Sequence, residues 1–268
     1  MSEQSNGPLI AIGGHEDKDG ERRILKAIAE RLNGGRLIIA TVASHEPEGY
    51  FDAYKDAFAA LGATDLIELY VDDRDETNDP AHKELIDGAA GIFFTGGDQL
   101  RIVSQLGDTP LESAVRDLHA RGGVIAGTSA GASAQSETML IGGSDGESYR
   151  IGELHMAPGL GLIPSVIIDQ HFAERGRIGR LLGAVAHNPR ILGIGIDEDT
   201  AIVVDGERFK VIGSGAVTIV DAEHVTRSNI AEAKPQRVLS IHNVTLHALS
   251  AGDEFNLATR KPCSPSES

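Results

Sequence analysis

The sequence has no tryptophan, and aromatic residues make up only 4% of a chain that is 41% hydrophobic, so we expect an aliphatic core. A single cysteine, Cys263, excludes an internal disulfide framework and a zinc site built from cysteines. Basic residues are scarce, 24 against 40 acidic ones, and the net charge of −16 argues against nucleic acid or an anionic membrane as a partner. No apolar stretch could span a bilayer and the N-terminus does not resemble a signal peptide, so we expect a soluble cytoplasmic protein.

The first half of the 268-residue chain alternates short β-branched runs with stretches of helical spacing. Predicted strands cover residues 8–12, 36–42, 66–71, 91–94 and 123–126, and predicted helices cover 22–32 and about 47–61. The acidic run at 71–80 is interpreted as a solvated loop. Strands that are apolar throughout are typical of a sheet covered on both faces, so the pattern predicts an α/β fold with a doubly wound, mostly parallel sheet.

From about residue 139 the pattern changes to short β-rich runs, which predict an added β-rich C-terminal part. Runs at 165–168 and 191–196 flank a helix near 179–186, and runs at 200–204, 209–212, 216–220 and 238–249 are predicted to form an antiparallel meander. Since no internal repeat or linker is visible, we expect one domain over 1–268, with disordered tails at 1–6 and 261–268.

The strongest chemical signal is a serine turn, GTSAG at 127–131, which matches G-x-S-x-G. It follows a predicted buried strand and precedes small residues that can begin a helix, which is the context of a nucleophile elbow. The alternative is an ordinary Gly/Ser-rich loop. In the catalytic interpretation Ser129 is the nucleophile, and the N–H of Ala130 faces the developing oxyanion.

A serine nucleophile needs a base and an acid that orients it. His171 follows a predicted apolar strand and is the preferred base, with His15 as its rival. Asp197, Glu198 and Asp199 end another apolar run and supply the candidate acids, although a charged turn would look the same. The order Ser129, His171, Glu198 differs from the serine, acid, histidine order of α/β-hydrolases and disfavours that fold.

The segment after the fourth predicted strand supplies the other side of a cleft. The backbone N–H of Gly97 or Asp98 is the second candidate oxyanion donor, and Gln99 can hydrogen-bond a polar substrate. A helix start with Asp98 as its cap is the alternative, and both interpretations can hold together.

Six segments together resemble the cyanophycinases of serine peptidase family S51, a group related to aspartyl dipeptidase. They are GGHEDK at 13–18, FFTGGDQ at 93–99, GTSAGAS at 127–133, DQHF at 169–172, RGRIGRL at 175–181 and GIGIDEDTA at 193–201. The resemblance spans roughly residues 8–250 and implies a fold similar to class I glutamine amidotransferases. His15 departs from it, because many relatives have a small residue there.

The resemblance implies an exopeptidase that releases β-Asp-Arg dipeptides from cyanophycin, a poly-aspartate with arginine on each side-chain carboxyl. It implies Ser129 as nucleophile, His171 as base and Glu198 as acid. The positions matched around the substrate are Gln99, Asp169, Gln170, Arg175, Arg177 and Arg180. Arginine forks suit the carboxylates of such a substrate, and an acid such as Asp169 suits its guanidinium, although at least one of these arginines is expected in a surface ion pair instead. No cofactor or metal is required, and a homodimer is implied.

Three other functions are weighed. An aspartyl dipeptidase shares the nucleophile and differs in substrate, but the DQHF and RGRIGR segments favour the polymer enzyme. A glutamine amidotransferase needs a cysteine where Ser129 stands. A binding module that kept the fold is the non-enzymatic alternative, and dinucleotide binding is disfavoured because GGHEDKDG lacks G-x-G-x-x-G.

Overall fold

The computed structural model describes residues 6–142, 150–231, 234 and 236–263. Its helices are α1 Arg23–Arg31, α2 Tyr50–Ala59, a 3₁₀ helix Arg74–Asn78, α3 Pro80–Asp87, α4 Gln99–Leu106, α5 Pro110–Ala120, α6 Ala130–Ser133 and α7 Ile178–His187. Its strands are β1 Leu9–Ile12, β2 Leu37–Ala40, β3 Leu66–Leu69, β4 Gly91–Phe94, β5 Val124–Thr128, β6 Ser136–Gly142, β7 His155–Pro158, β8 Ile163–Gln170, β9 Leu192–Ile196, β10 Thr200–Asp205, β11 Arg208–Gly213, β12 Val217–Asp221, β13 Arg227–Ser228, β14 Ile241–His242, β15 Thr245–Leu249, β16 Glu254–Asn256 and β17 Lys261–Pro262.

The first sheet confirms the predicted doubly wound α/β architecture. Its order is β17-β16-β11-β10-β1-β5-β4-β2-β3, and the five strands from β1 to β3 in that order run parallel. Every residue of β1, β2, β4 and β5 is buried, as expected for strands covered on both faces. Separate clusters of apolar side chains pack on the two faces of this sheet.

The C-terminal strands do not form the predicted meander. Strands β10 and β11 extend the first sheet, because β10 pairs antiparallel with β1, whereas β12 and β15 belong to a second sheet of order β15-β12-β9-β8-β6-β7. The runs at 200–204, 209–212 and 216–220 match β10, β11 and β12, and β10 pairs antiparallel with β11 as predicted. The run at 238–249 divides into β14 and β15, and the predicted pairing of β11 with β12 does not occur. Local alternation identifies a strand but carries no information about which distant edge accepts it.

The prediction of a solvated loop at 71–80 is also corrected, since this acidic run contains the 3₁₀ helix and the start of α3. Its acids serve as caps: the carboxylate of Asp73 accepts from the N–H of Asp75, and that of Asp79 accepts from the N–H of Ala81. Pro80 occupies the first turn of α3, where its missing N–H costs nothing.

At the C-terminal end, Lys261–Pro262 form β17 and pair with β16, so these two residues are not part of a disordered tail. Residues 1–5 and 264–268 of the predicted tails lie outside the described residues. Within the described ranges no helix is both long and apolar enough to cross a membrane.

The two sheets bring five strand ends together. The chain leaving β1, β4 and β5 carries Gly14, Gly97 and Ser129, and the chain leaving β8 and β9 carries His171 and Glu198. The carboxyl ends of parallel strands are where open α/β sheets place their ligands, and the predicted site residues gather there.

Candidate active site

Ser129 sits in a sharp turn between β5 and α6. Its backbone φ of 53° and ψ of −109° lie in a region that residues other than glycine rarely adopt. The flanking glycines make the turn possible: a Cβ on Gly127 would lie 2.3 Å from the carbonyl oxygen of Gly131, and one on Gly131 would lie 2.4 Å from that of Phe94. The G-x-S-x-G spacing therefore reflects two close backbone contacts.

Ser129, His171 and Glu198 form a continuous hydrogen-bonded chain. The Oγ of Ser129 lies 3.0 Å from Nε2 of His171, and Nδ1 of His171 lies 2.6 Å from Oε1 of Glu198. An ionised carboxylate can only accept, so Nδ1 carries the proton and Nε2 is left to accept from the serine hydroxyl. This is the geometry and the tautomer that a serine nucleophile requires.

The imidazole of His171 is held by the loop after β1. The backbone N–H of His171 donates to the carbonyl of Gly13 at 2.8 Å. A Cβ on Gly14, whose φ is +106°, would lie 2.3 Å from Cε1 of the imidazole, so only glycine leaves room for the ring. The sequence analysis placed this loop in the GGHEDK segment at 13–18 but gave Gly13 and Gly14 no role.

Burial lowers the pKa of His171 below the ordinary histidine value of 6.5. The hydrogen bond that His171 donates to Glu198 raises the pKa and the nearby charge of Arg175 lowers it, and burial is the largest of these influences. His171 is therefore neutral at neutral pH and able to take a proton.

Of the three candidate acids only Glu198 reaches His171. The two carboxylate oxygens of Asp197 accept backbone N–H bonds from Ala173 and Ala216, each at 3.0 Å. Asp199 accepts from the N–H of Asp17 and from Ser214 Oγ. These two aspartates thus stabilise the loops around the site.

The predicted oxyanion donors separate into two groups. The N–H of Asp98 donates to the carbonyl of Ala43 at 2.9 Å, so this donor is already used and its prediction is corrected. The Asp98 carboxylate caps α4 by accepting from the N–H of Leu100. Ala130 begins α6, where an N–H has no acceptor within the helix. Gly97 has a φ of +143°, which favours glycine, and a Cβ there would lie 2.4 Å from the carbonyl oxygen of Ala43. Both remain candidates.

Three of the predicted substrate residues form a buried ion cluster. Asp169 is fully buried, and its carboxylate accepts from Nε of Arg180 at 2.7 Å and from Arg177 at 3.3 Å. Arg177 also donates to the side-chain oxygen of Gln170 at 2.9 Å. Direct substrate contact by Asp169 is not supported, because both guanidiniums cover it inside the protein.

Arg175 and Gln99 lie outside this buried ion cluster. Arg175 is exposed, has no ion pair within the described part of the chain and acts on His171 through its charge. Gln99 is half-buried at the start of α4, and its amide donates to the carbonyl of Leu140 at 2.6 Å, which ties α4 to the second sheet.

The sequence analysis missed a second buried acid, Glu16. Its carboxylate accepts from the Tyr54 hydroxyl and the Thr128 hydroxyl, each at 2.6 Å, and pairs with Lys18 at 3.2 Å. Because Thr128 directly precedes Ser129, its hydrogen bond to Glu16 stabilises the serine turn. The place of Glu16 in GGHEDK, a segment in which only His15 had been considered for a role, was the available signal.

His15 approaches the same acid from the solvent side. Its Nδ1 lies 3.2 Å from Oε2 of Glu198, and its ring meets that of His171 edge-on, with 5.1 Å between centroids. The Ser129 hydroxyl contacts His171 and not His15, so the geometry does not favour His15 as the base.

The family model described as Peptidase family S51 matches residues 9–212. The chain belongs to this peptidase family. This S51 peptidase is 42% identical over 266 residues to the cyanophycinase of Geminocystis herdmanii, covering 98% of each chain. It is 41% identical to that of Nostoc sp. over 257 residues, covering 94% of this chain and 86% of the relative.

Two solved structures share its fold. A peptidase from an acI-B1 Actinobacterium superposes with a TM-score of 0.67 at 24% identity, covering 95% of this chain and 98% of the other. A putative peptidase E protein from Listeria monocytogenes superposes with a TM-score of 0.53 at 17% identity, covering 79% and 100%. These superpositions confirm the α/β fold predicted from the sequence.

Proposed function

We propose that this S51 peptidase is a serine exopeptidase that hydrolyses cyanophycin to β-Asp-Arg dipeptides, with Ser129, His171 and Glu198 as its catalytic triad. The hydrogen-bonded chain through these three side chains carries the proposal. Near full-length similarity to proteins named cyanophycinase supports the substrate.

Acylation begins when Nε2 of His171 takes the proton of Ser129 as Oγ attacks the backbone carbonyl of the polymer. Glu198 stabilises the imidazolium through the bond to Nδ1. The N–H groups of Ala130 and Gly97 are the proposed donors to the oxyanion. His171 then protonates the leaving amine, and the acyl group stays on Ser129.

Deacylation uses the same groups in reverse. Neutral His171 removes a proton from water, which attacks the acyl carbon, and the imidazolium returns the proton to Oγ of Ser129. The lowered pKa of His171 favours return to the neutral base after each turnover.

Each repeat of the polymer offers a carboxylate and a guanidinium, so the site must accept both charges. Arg175 is exposed beside His171 and is the proposed contact for the carboxylate. Glu174 is exposed on the same turn, and its carboxylate accepts from the N–H of Glu198 at 3.3 Å, which places a negative charge next to the triad. Gln99 and Gln170 are proposed to line the site, with Arg177, Arg180 and Asp169 beneath it.

Incubation of the purified protein with cyanophycin tests the proposal, with products identified by mass spectrometry. We expect β-Asp-Arg from the wild type and from Ser113→Ala, a serine substitution on α5 away from the site. Ser129→Ala should lower kcat by about 10⁴-fold or more. Equal rates for Ser129→Ala and wild type would exclude the proposed nucleophile.

An aspartyl dipeptidase is the second candidate and differs only in substrate. Release of products from short α-Asp dipeptides, with none from cyanophycin, would replace the substrate and keep the triad.

We further propose that the enzyme works in the cytoplasm as a homodimer. Light scattering on the purified protein should give a molar mass of twice the 28.3 kDa of one chain, and the mass of a single chain would contradict the dimer.

A further inference from the structure

We propose that His15, His171 and Glu198 form an inhibitory binding site for Zn²⁺, in which the metal ion disables the triad. The proposal rests on the proposed function, because it names a regulation of the same site. The metal is not a cofactor, since it would occupy groups that the peptidase reaction needs.

The ligand set converges on one carboxylate. One ligand atom from each of the three residues lies within 4.8 Å of the other two. Nδ1 of His15 faces Oε2 of Glu198 at 3.2 Å, and Nδ1 of His171 faces Oε1 at 2.6 Å. The rings stand at 84° to each other, so the two imidazoles approach the carboxylate from different directions.

Two imidazoles and a carboxylate are a donor set that Zn²⁺ binds with an open fourth position. Zinc bonds of about 2.0–2.2 Å fit between atoms that already lie this close, so small side-chain rotations are enough. Zinc binds a neutral imidazole, so binding at Nδ1 of His171 moves the proton of that nitrogen to Nε2. The hydrogen bond to Glu198 is then broken, and Nε2 can no longer accept the proton of Ser129.

Access and charge favour an ion arriving from solvent. The His15 side chain is 74% exposed and that of Glu198 is 27% exposed, so the carboxylate can be reached without opening the fold. Glu174 adds a second carboxylate beside Glu198, and the chain carries a net charge of −16. Arg175 opposes the ion through its positive charge.

Titration calorimetry with ZnCl₂ on full-length Ser129→Ala tests binding without any turnover. We expect one ion bound per chain. Adding His15→Ala should weaken binding by about tenfold or more because one of three ligands is lost. His15→Gln provides a second variant that keeps a polar side chain.

The matched control is His224→Ala, which removes an exposed histidine outside the cluster and should leave the affinity unchanged. Equal affinity with and without His15, or binding of no ion, would overturn the proposed ligation.

Labelling of Ser129 by a serine-directed phosphonate tests the inhibition. Zn²⁺ should block labelling of the wild type, a chelator should restore it, and His15→Ala should need about tenfold more Zn²⁺, each rate being normalised to that variant without metal. A protein that is not labelled even without zinc would contradict the proposed function, and the calorimetry would still decide the metal site. Equal zinc sensitivity of both proteins would contradict a role for His15.

Discussion

Two regions surround the triad, and they use similar side chains in opposite ways. The buried layer consists of five buried side chains, those of Glu16, Tyr54, Asp169, Arg177 and Arg180. The rim consists of His15, Glu174 and Arg175, which are all exposed. In the buried layer every charge is paired, whereas Arg175 in the rim has no ion pair among the described residues.

The difference shows that residue type does not determine role. Arg175 and Arg177 are two residues apart and belong to one motif, yet Arg177 binds Asp169 beneath the site and Arg175 faces solvent. A buried charge must be paired, while an exposed charge remains available to a substrate. The buried layer should therefore govern stability, and the rim should govern binding and pH dependence.

The largest effect is expected from Asp169→Asn, which removes the negative charge shared by Arg177 and Arg180. Leaving buried guanidiniums with less compensation should lower the free energy of unfolding by about 3–5 kcal/mol. Urea unfolding measures it. The control Asp87→Asn alters a carboxylate that is 43% exposed and paired with Lys83, whose side chain is equally exposed, and should cost less than about 1 kcal/mol. Equal losses would break the distinction between buried and exposed pairs.

A smaller loss is expected from Tyr54→Phe, which removes one hydrogen bond to the buried Glu16 carboxylate. Burial and the charge of Glu16 raise the pKa of Tyr54, so the hydroxyl stays protonated and donates. Its removal should cost about 1.5–3 kcal/mol by thermal or urea unfolding. Tyr70→Phe removes a 3.0 Å bond to the exposed Asp72 and should change stability by less than about 1 kcal/mol. An unchanged stability of Tyr54→Phe would show that the Glu16 carboxylate does not need the Tyr54 hydroxyl as a donor.

Arg175→Ala should act on binding instead of stability. We expect KM for cyanophycin to rise by about tenfold through loss of a charge-assisted contact, with the unfolding midpoint nearly unchanged. Steady-state kinetics measure it beside Arg208→Ala, an exposed arginine on β11 that should leave KM unaltered. An unchanged KM for Arg175→Ala would remove Arg175 from the proposed substrate contacts.

The smallest effect concerns the pH profile of kcat/KM. Because burial lowers the pKa of His171, activity should fall only as the pH drops below the ordinary value of 6.5. Arg175→Ala removes an influence that lowers this pKa, so its acid limb should move to higher pH. Glu198→Gln removes an influence that raises the pKa, so its limb should move to lower pH, with a lower plateau. If the acid limb stays at the same pH in both variants, neither Arg175 nor Glu198 alters the pKa of His171.

Local patterns predicted the parallel strands well, because a fully buried strand is apolar at every position. The runs at 8–12, 36–42 and 91–94 each contain an observed strand. The same patterns failed for the step from β11 to β12, which lie in different sheets, since pairing depends on contacts between segments far apart in the chain. The acidic run at 71–80 was misread because caps and solvated loops use the same residues.

By itself the sequence determined the serine turn, because the close approach of Gly127 to Gly131 and of Gly131 to Phe94 demands glycine at fixed spacing. It also predicted a histidine and an acid at strand ends, with His171 preferred over His15 and with Asp197, Glu198 and Asp199 as candidate acids. Only the tertiary structure decided that Glu198, and neither neighbouring aspartate, meets His171. Only it decided which arginines are buried and that His15 lies against the same acid, because these outcomes depend on distances between strand ends that no local spacing encodes.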